Sequence, residues 1–370
     1  MRIARFVKIL FLFLLPCVGF TQFRKYSNEF LNIGAGARGL GMGASESASV
    51  SDATAGYWNP AALVGVQDFP SISLMHASYF DNIGKYDFAT VAFPVNDNKR
   101  VIGLTVLRFA VDDIPNTLFL VQPDGSINYG NITTFSSADY AFLFSFAQKI
   151  KDDDDLKMSF GANAKVIYRK VGHFATAWGF GIDAGFKMQK NNWSVGIVAK
   201  DLTTTFNAWS FHFTDKEKQV LYLTDNDIPI KSTELTAPRL TIGNSYNFPI
   251  GSSVNLLAEA DLDFTFDGQE NTVVSSKNIN IDPHAGLEAT IKDVFFVRAG
   301  ISNFQKALAD GDTTNQKKVW IFQPSLGAGF KINNISIDYA FTNLANQSNP
   351  LYTHVFSLKI DLAKKEKQLY

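Results

Sequence analysis

The side chains of this chain that could do chemistry are few and scattered. Its five histidines, His76, His173, His212, His284 and His354, stand singly, with no i, i+4 pair and no cysteine partner, which is not the pattern of a zinc site. The one cysteine, Cys17, falls in an N-terminal stretch that reads as a signal, so disulfide, thiolate-metal and cysteine-nucleophile chemistry are closed to the mature chain. No Gly-x-Ser-x-Gly elbow occurs. A hydrolytic set of Ser, His and an amide or carboxylate could still be assembled from separate strands. The acidic run at 152–155 lacks the glycine and terminal carboxylate of a calcium loop and reads as a solvated turn. Gly34-x-Gly36-x-x-Gly39 matches a dinucleotide fingerprint in form, but it has no strand–turn–helix setting. These residues predict a chain that is not an enzyme and that holds no cofactor and no metal.

The elements that position these residues read as strands. Across 319–362 apolar and polar residues alternate: Trp320, Phe322, Pro324, Leu326, Ala328 and Phe330 fall on one face, and Ile321, Gln323, Ser325, Gly327, Gly329 and Lys331 on the other. The runs from Ile335 and Thr353 repeat the pattern. A period of two puts successive side chains on opposite sides of a sheet. An aromatic, branched face opposed to a charged one suits a transmembrane β-barrel. The same template gives about fourteen antiparallel runs, starting near Ser71, Tyr86, Arg100, Ser137, Leu156, Thr176, Asn192, Ala237, Ser253, Ile281, Val294, Val319, Ile335 and Thr353; the Val294 run reads as the shortest. A soluble β-sandwich is the competing reading, but it would hide its aromatic face and needs no division into short and long loops.

The links between runs divide that way. Those at 96–99, 150–155, 189–191, 249–252, 292–293 and 333–334 are tight, whereas those at 110–136, 201–236, 265–280, 302–318 and 344–352 are long; two links of the second series, near 81–85 and 172–175, are exceptions and short. Outer-membrane barrels have short periplasmic turns and longer outer loops, so the division predicts both termini in the periplasm. Trp178, Trp320, Tyr168, Phe264 and Phe341 then fall at outer strand ends, and Trp193, Phe186, Tyr246, Phe248 and Phe330 at inner ends, as aromatic girdles require.

Composition agrees. The 370 residues are 46% hydrophobic, 14% aromatic and 19% charged. Residues 1–22, with basic Arg2, Arg5 and Lys8 before an apolar run, read as a signal peptide, and Pro16 before Cys17 argues against a lipoprotein box. Losing three basic and no acidic residues moves the formal charge from −1 to −4, which does not favour nucleic acid as a partner. Inward positions carry both signs, among them Lys165, Arg169, Asp183, Arg239, Glu259, Asp261, Glu288, Arg298, Asp338 and Lys359. Paired charges tolerate burial far better than isolated ones, so this pattern predicts a filled lumen. The filling is expected from residues 23–68, rich in small residues that let backbones approach closely: Gly34, Gly36, Gly39, Gly41 and Gly43, then Asn59, Pro60 and Ala61. The barrel is expected over 69–363, with a charged tail at 364–370.

Residues 28–43, NEFLNIGAGARGLGMG, with DAT at 52–54 and WNPA at 58–61, resemble the N-terminus of the PorV/PorQ family of type IX secretion system outer-membrane proteins of Bacteroidota. The Asn-Pro-Ala element is also similar to the hatch of the wider FadL-like long-chain fatty-acid transporters, which have fourteen strands. FAVDDIPNT at 109–117 and TTTFNAW at 203–209 resemble the PorV side of the family. The resemblance implies an outer-membrane barrel that binds secreted cargo bearing C-terminal sorting domains and shuttles it between translocon and surface-attachment proteins. The competing reading is a FadL-like transporter of fatty acids or other hydrophobic small molecules. In the long link at 201–236, Phe206, Trp209, Phe211 and Phe213 need cover from the barrel mouth or from a partner, which makes them the candidate docking residues.

Overall fold

A computed structural model describes residues 27–96, 98–122, 124–228, 231–308, 318–342 and 352–362. The expected signal peptide and charged tail lie outside them. Seventeen strands occur among the described residues: β1 (Ser71–Tyr79), β2 (Gly84–Val95), β3 (Arg100–Asn116), β4 (Thr133–Asp152), β5 (Lys157–Val171), β6 (Ala175–Lys190), β7 (Trp193–Lys200), β8 (Thr205–Phe211), β9 (Lys231–Thr236), β10 (Arg239–Ile250), β11 (Val254–Thr265), β12 (Val274–Ser275), β13 (Asn280–Ile291), β14 (Phe295–Leu308), β15 (Lys318–Ile332), β16 (Ile335–Thr342) and β17 (Thr353–Asp361). Fourteen of them form one closed antiparallel barrel: β1 to β7, β10, β11 and β13 to β17. The seam is sealed by β1 against β17, with Ser71 opposite Asp361. Closure leaves the barrel wall no free edge, the condition for placing a sheet in lipid.

The tight links lie where the periodicity places them. Asn333, with φ 52°, turns β15 back into β16, a left-handed conformation that asparagine accepts more readily than most residues. Three expectations change. The run near Val294 becomes the 14-residue β14, because its alternation continues to Ser302 before an irregularity in its register with β15. The link at 110–136 is shorter than expected: β3 and β4 rise past an irregularity between Val111 and Ile114 and stay paired to Asn116 and Thr133. The link at 201–236 is not mere loop. It holds the β8–β9 hairpin, which takes over from β7 as the partner of upper β6, and a helix at Asp215–Leu223.

The outer surface is apolar along most strands, with Phe144, Phe180, Leu287, Leu326 and Phe356 all exposed. The inner surface has two characters. Over β1 to β4 it is mostly apolar, and Met75, Tyr86, Phe88, Leu107 and Leu143, with Ile167 of β5, pack on Leu40, Tyr57, Trp58 and Leu63 of the N-terminal segment. From β10 to β17 it is charged. The N-terminal segment, residues 27–68, fills the lumen as short helical turns, Ala37–Gly41, Ala55–Trp58 and Pro60–Gly65, and its backbone lies on wall glycines. A Cβ at Gly300 would overlap Gly43, one at Gly286 would overlap Met42, and one at Gly161 would overlap Pro60.

Overpacking a well-filled interior costs roughly 1–3 kcal/mol. Gly300→Val should therefore lower the unfolding free energy of the barrel by an amount in that range and its urea midpoint accordingly, while Ala299→Val, on the exposed face, should leave both unchanged. Equal midpoints for the two variants would show that the segment does not rest on the wall.

Candidate functional site

The glycines singled out in the sequence lie within the lumen-filling segment. Gly34 (φ 100°) and Gly36 (φ 83°) need the left-handed backbone, and their N–H groups donate to the Tyr57 hydroxyl (3.0 Å) and to Met75 Sδ (3.0 Å). Gly39 lies under Glu46 and Trp58, and Gly41 meets the Gly327 backbone. Gly43 donates to Ser325 Oγ at 3.0 Å. Asn59 caps the turn that Pro60 and Ala61 begin: its Oδ1 accepts from Ala61 N (3.1 Å), while its Nδ2 donates to the carbonyls of Ser47 (2.8 Å) and Phe186 (3.2 Å). The motif residues therefore hold the segment's own folds and its seat on the wall.

Charge pairing completes the attachment. Arg38 binds both Glu46 and Glu288, the latter at 3.0 Å, and Glu288 also accepts from Arg298 Nε at 2.5 Å. Arg298 reaches Asp338 at 2.6 Å. Asp261 accepts from the backbone N–H of Glu46 and Ser47, and Glu259 from that of Ala48 at 2.7 Å. Lys187 donates to the Val50 carbonyl at 2.6 Å. On the opposite wall, Asn163 donates to the Gly56 carbonyl and Ser159 to that of Ala61, both at 2.8 Å. A cavity of about 710 Å³ remains beside the segment, bordered by Lys200, Arg239, Asp261, Asp263, Asp282 and His284 as well as by Tyr57 and Trp58. Its lining is mixed, with charged side chains set beside aromatic and aliphatic ones, and Lys200 Nζ stands 4.6 Å from the Tyr57 ring centre.

A second cavity, about 600 Å³, is a mostly apolar cleft at the end that carries the long links. Trp209, Phe211 and Phe213 form one wall, with successive ring centres 6.4 Å apart. Phe135 and Phe174 meet edge to face at 5.2 Å across from them, and Pro115, Leu118 and Leu221 complete the lining. Arg169 lies over Trp209, 5.1 Å from the ring centre, while pairing with Asp139 (2.8 Å) and Glu234 (3.2 Å). Trp209 Nε1 is buried without an acceptor among the described residues. Three of the four aromatic residues expected to act together do converge here. Phe206 does not: it faces outward against Phe180, 5.8 Å between ring centres. The signal was present in the sequence, because Phe206 differs in strand parity from residues 209, 211 and 213. Phe135, Phe174 and Pro115 went unnoticed because they come from other strands and from the β5–β6 turn.

The helix Asp215–Leu223 covers one side of the cleft through Leu221. Thr214 caps it with a reciprocal capping box to Glu217, and Glu217 also binds His173 Nε2 at 2.7 Å. Desolvation would raise the Glu217 carboxyl, but the Thr214 backbone and hydroxyl together with His173 hold it below its ordinary value of 4.5. The stabilisation it gives is thus complete above that value and is lost as pH falls through the depressed one. An N-cap serine or threonine contributes about 1 kcal/mol. Thr214→Ala should therefore speed amide exchange across residues 215–223 by about fivefold at neutral pH. Acidification of the unmodified chain below about pH 4.5 should loosen the same residues. Exchange unchanged in both experiments would remove Glu217 and its cap as the clasp of this helix.

The acidic run at 152–155 is a short turn flanked by Lys149–Asp152 and Lys151–Asp153 pairs, both at 2.9 Å. His284 lies 3.6 Å from Asp263 and 3.8 Å from Asp282, and His76 and His173 pair with Asp87 and Glu217.

A scan against protein-family models finds no match, and neither does a comparison with curated proteins. Solved structures do match over nearly the whole chain. The monoaromatic hydrocarbon channel CymD shares 13% identity at a TM-score of 0.53, over 90% of this chain and 99% of its own. The toluene transporter TbuX of Ralstonia pickettii shares 15% at 0.53, over 89% and 99%. The toluene transporter TodX of P. putida shares 12% at 0.51, over 90% and 99%. Identities this low carry the fold alone, a closed fourteen-stranded antiparallel barrel shared with these channels.

Proposed function

We propose that this chain is a non-catalytic outer-membrane barrel, sealed by residues 27–68, whose working surface is the aromatic cleft at the long-link end. There it receives cargo of the type IX secretion system, an apolar part of a C-terminal sorting domain entering between Trp209, Phe211, Phe213, Phe135 and Phe174. The observation that carries this reading is that the apolar cleft lies at the mouth, while the lumen below is occupied by a segment bonded to strands all around the wall. The PorV-like motifs at 28–43 and 203–209 support the choice of cargo. The charged groups that border the lumen cavity, Lys200, Arg239, Asp261, Asp263, Asp282 and His284, disfavour a wholly apolar route through the barrel.

A second reading has an observation of its own. The barrel shares its fold with channels and transporters of aromatic hydrocarbons, and a largely apolar cleft of about 600 Å³ falls within the range of small-molecule pockets. On this reading the cleft captures a hydrophobic compound for uptake. The fold likeness bears on this reading more directly than on the first.

One pair of assays separates them. On the secretion reading, purified sorting domain binds the intact barrel. The triple variant Trp209→Ala, Phe211→Ala, Phe213→Ala weakens binding by roughly a hundredfold, as loss of a central aromatic cluster does. Phe206→Ala leaves the affinity unchanged, and deletion of the protein leaves hydrocarbon uptake unchanged. No binding of sorting domain, with uptake lost on deletion, would reject the secretion reading in favour of the transporter.

A further inference from the structure

The lumen-filling segment runs from one end of the barrel to the other. At its start, Asn207 on β8 donates to Asn28 Oδ1 at 2.8 Å, and Asn28 donates to Thr236 on β9 at 2.8 Å. That hairpin stands at the long-link end, above the point where β10 and β11 finish at Arg239 and Thr265. At its finish, Asp68 and Asn98 exchange hydrogen bonds of 3.1 and 2.8 Å in the tight β2–β3 link, and the Pro70 carbonyl accepts from Leu362 N at 2.8 Å. The barrel's first and last strands thus meet at the tight-turn end, whereas Ser27 lies at the opposite one.

We infer that residues 27–68 are a through-lumen pass whose first residues stand at the long-link face, with Glu29 of the turn Glu29–Leu31 displayed there to solvent. Glu29 and Asn32 are exposed, and both border the lumen cavity, so this turn supplies part of that cavity's lining. Two unlike spaces then adjoin at this end: an apolar cleft at the mouth built by β3 to β6 and the hairpin, and below it a lumen cavity of mixed lining, bordered in part by the N-terminal segment. The hairpin serves both, since Trp209 and Phe211 line the cleft while Asn207 and Thr236 hold Asn28.

Single cysteines in the full chain test this, with a membrane-impermeant maleimide applied to intact and then to permeabilised cells and the unsubstituted chain as blank. Asp124→Cys marks the long-link end and Asp154→Cys the tight-turn end, both exposed positions. Glu29→Cys and Asn32→Cys should label under the same condition as Asp124→Cys, and Gln67→Cys under the same condition as Asp154→Cys. The comparison is relative, so it holds whichever end faces outward, and it is independent of what the cleft binds. Labelling of residues 29 and 32 together with Asp154→Cys, labelling of 29 and 67 under the same condition, or no labelling of 29 and 32 from either side would each overturn the inference.

Discussion

The constraint on which the rest depends is that half of this barrel's lumen wall is charged and cannot stay empty at low dielectric cost. Glu259, Asp261, Glu288, Arg298 and Asp338 face inward and are largely shielded from solvent. Removing one partner of a buried pair leaves an uncompensated charge, which costs several kcal/mol. The N-terminal segment supplies the missing partners through Arg38 and through its own backbone N–H groups at 46–49. For those bonds to form, the backbone must approach the wall closely, and Gly196 and Gly243 at Ser47, with Gly286, Gly300 and Gly327 at residues 41–43, remove the side chains that would stand in the way. The apolar inner face of β1 to β4, with Ile167 of β5, holds the other side of the segment through Leu40, Tyr57, Trp58 and Leu63.

Much of the barrel was legible in the sequence, because a wall with lipid on one side and protein on the other writes its structure in a period of two. The pattern at 319–362 gave the faces of β15 to β17 residue by residue. Legibility failed where that period was interrupted or repeated out of context. β14 reads as short because its pairing with β15 is irregular between Ser302 and Gln305. The β8–β9 hairpin reads as loop because its strands are separated by a helix and a turn. Parity within 205–211 was enough to set Phe206 apart from Trp209 and Phe211, but only once the stretch is known to be a strand. The wall glycines were not legible as a group: each is an ordinary strand glycine until closure brings them to the height of the segment. The cleft was half legible, since one wall is a local cluster and the other is assembled from residues 115, 135 and 174, distant in sequence.

On the proposed function, binding belongs to the mouth and structure to the lumen. The charges that look like a selectivity filter in the sequence are largely engaged with one another or with the N-terminal segment. The apolar residues that look like loop decoration form the larger share of the cleft. The barrel fold is compatible with either proposed guest, because a fold does not fix what its cleft binds.

The central claim, a barrel sealed by its own N-terminal segment, is tested most directly by planar-bilayer conductance of the purified full chain. The account predicts no large steady current, with at most brief small openings across the physiological voltage range. A large, permanently open conductance in the intact protein would contradict it.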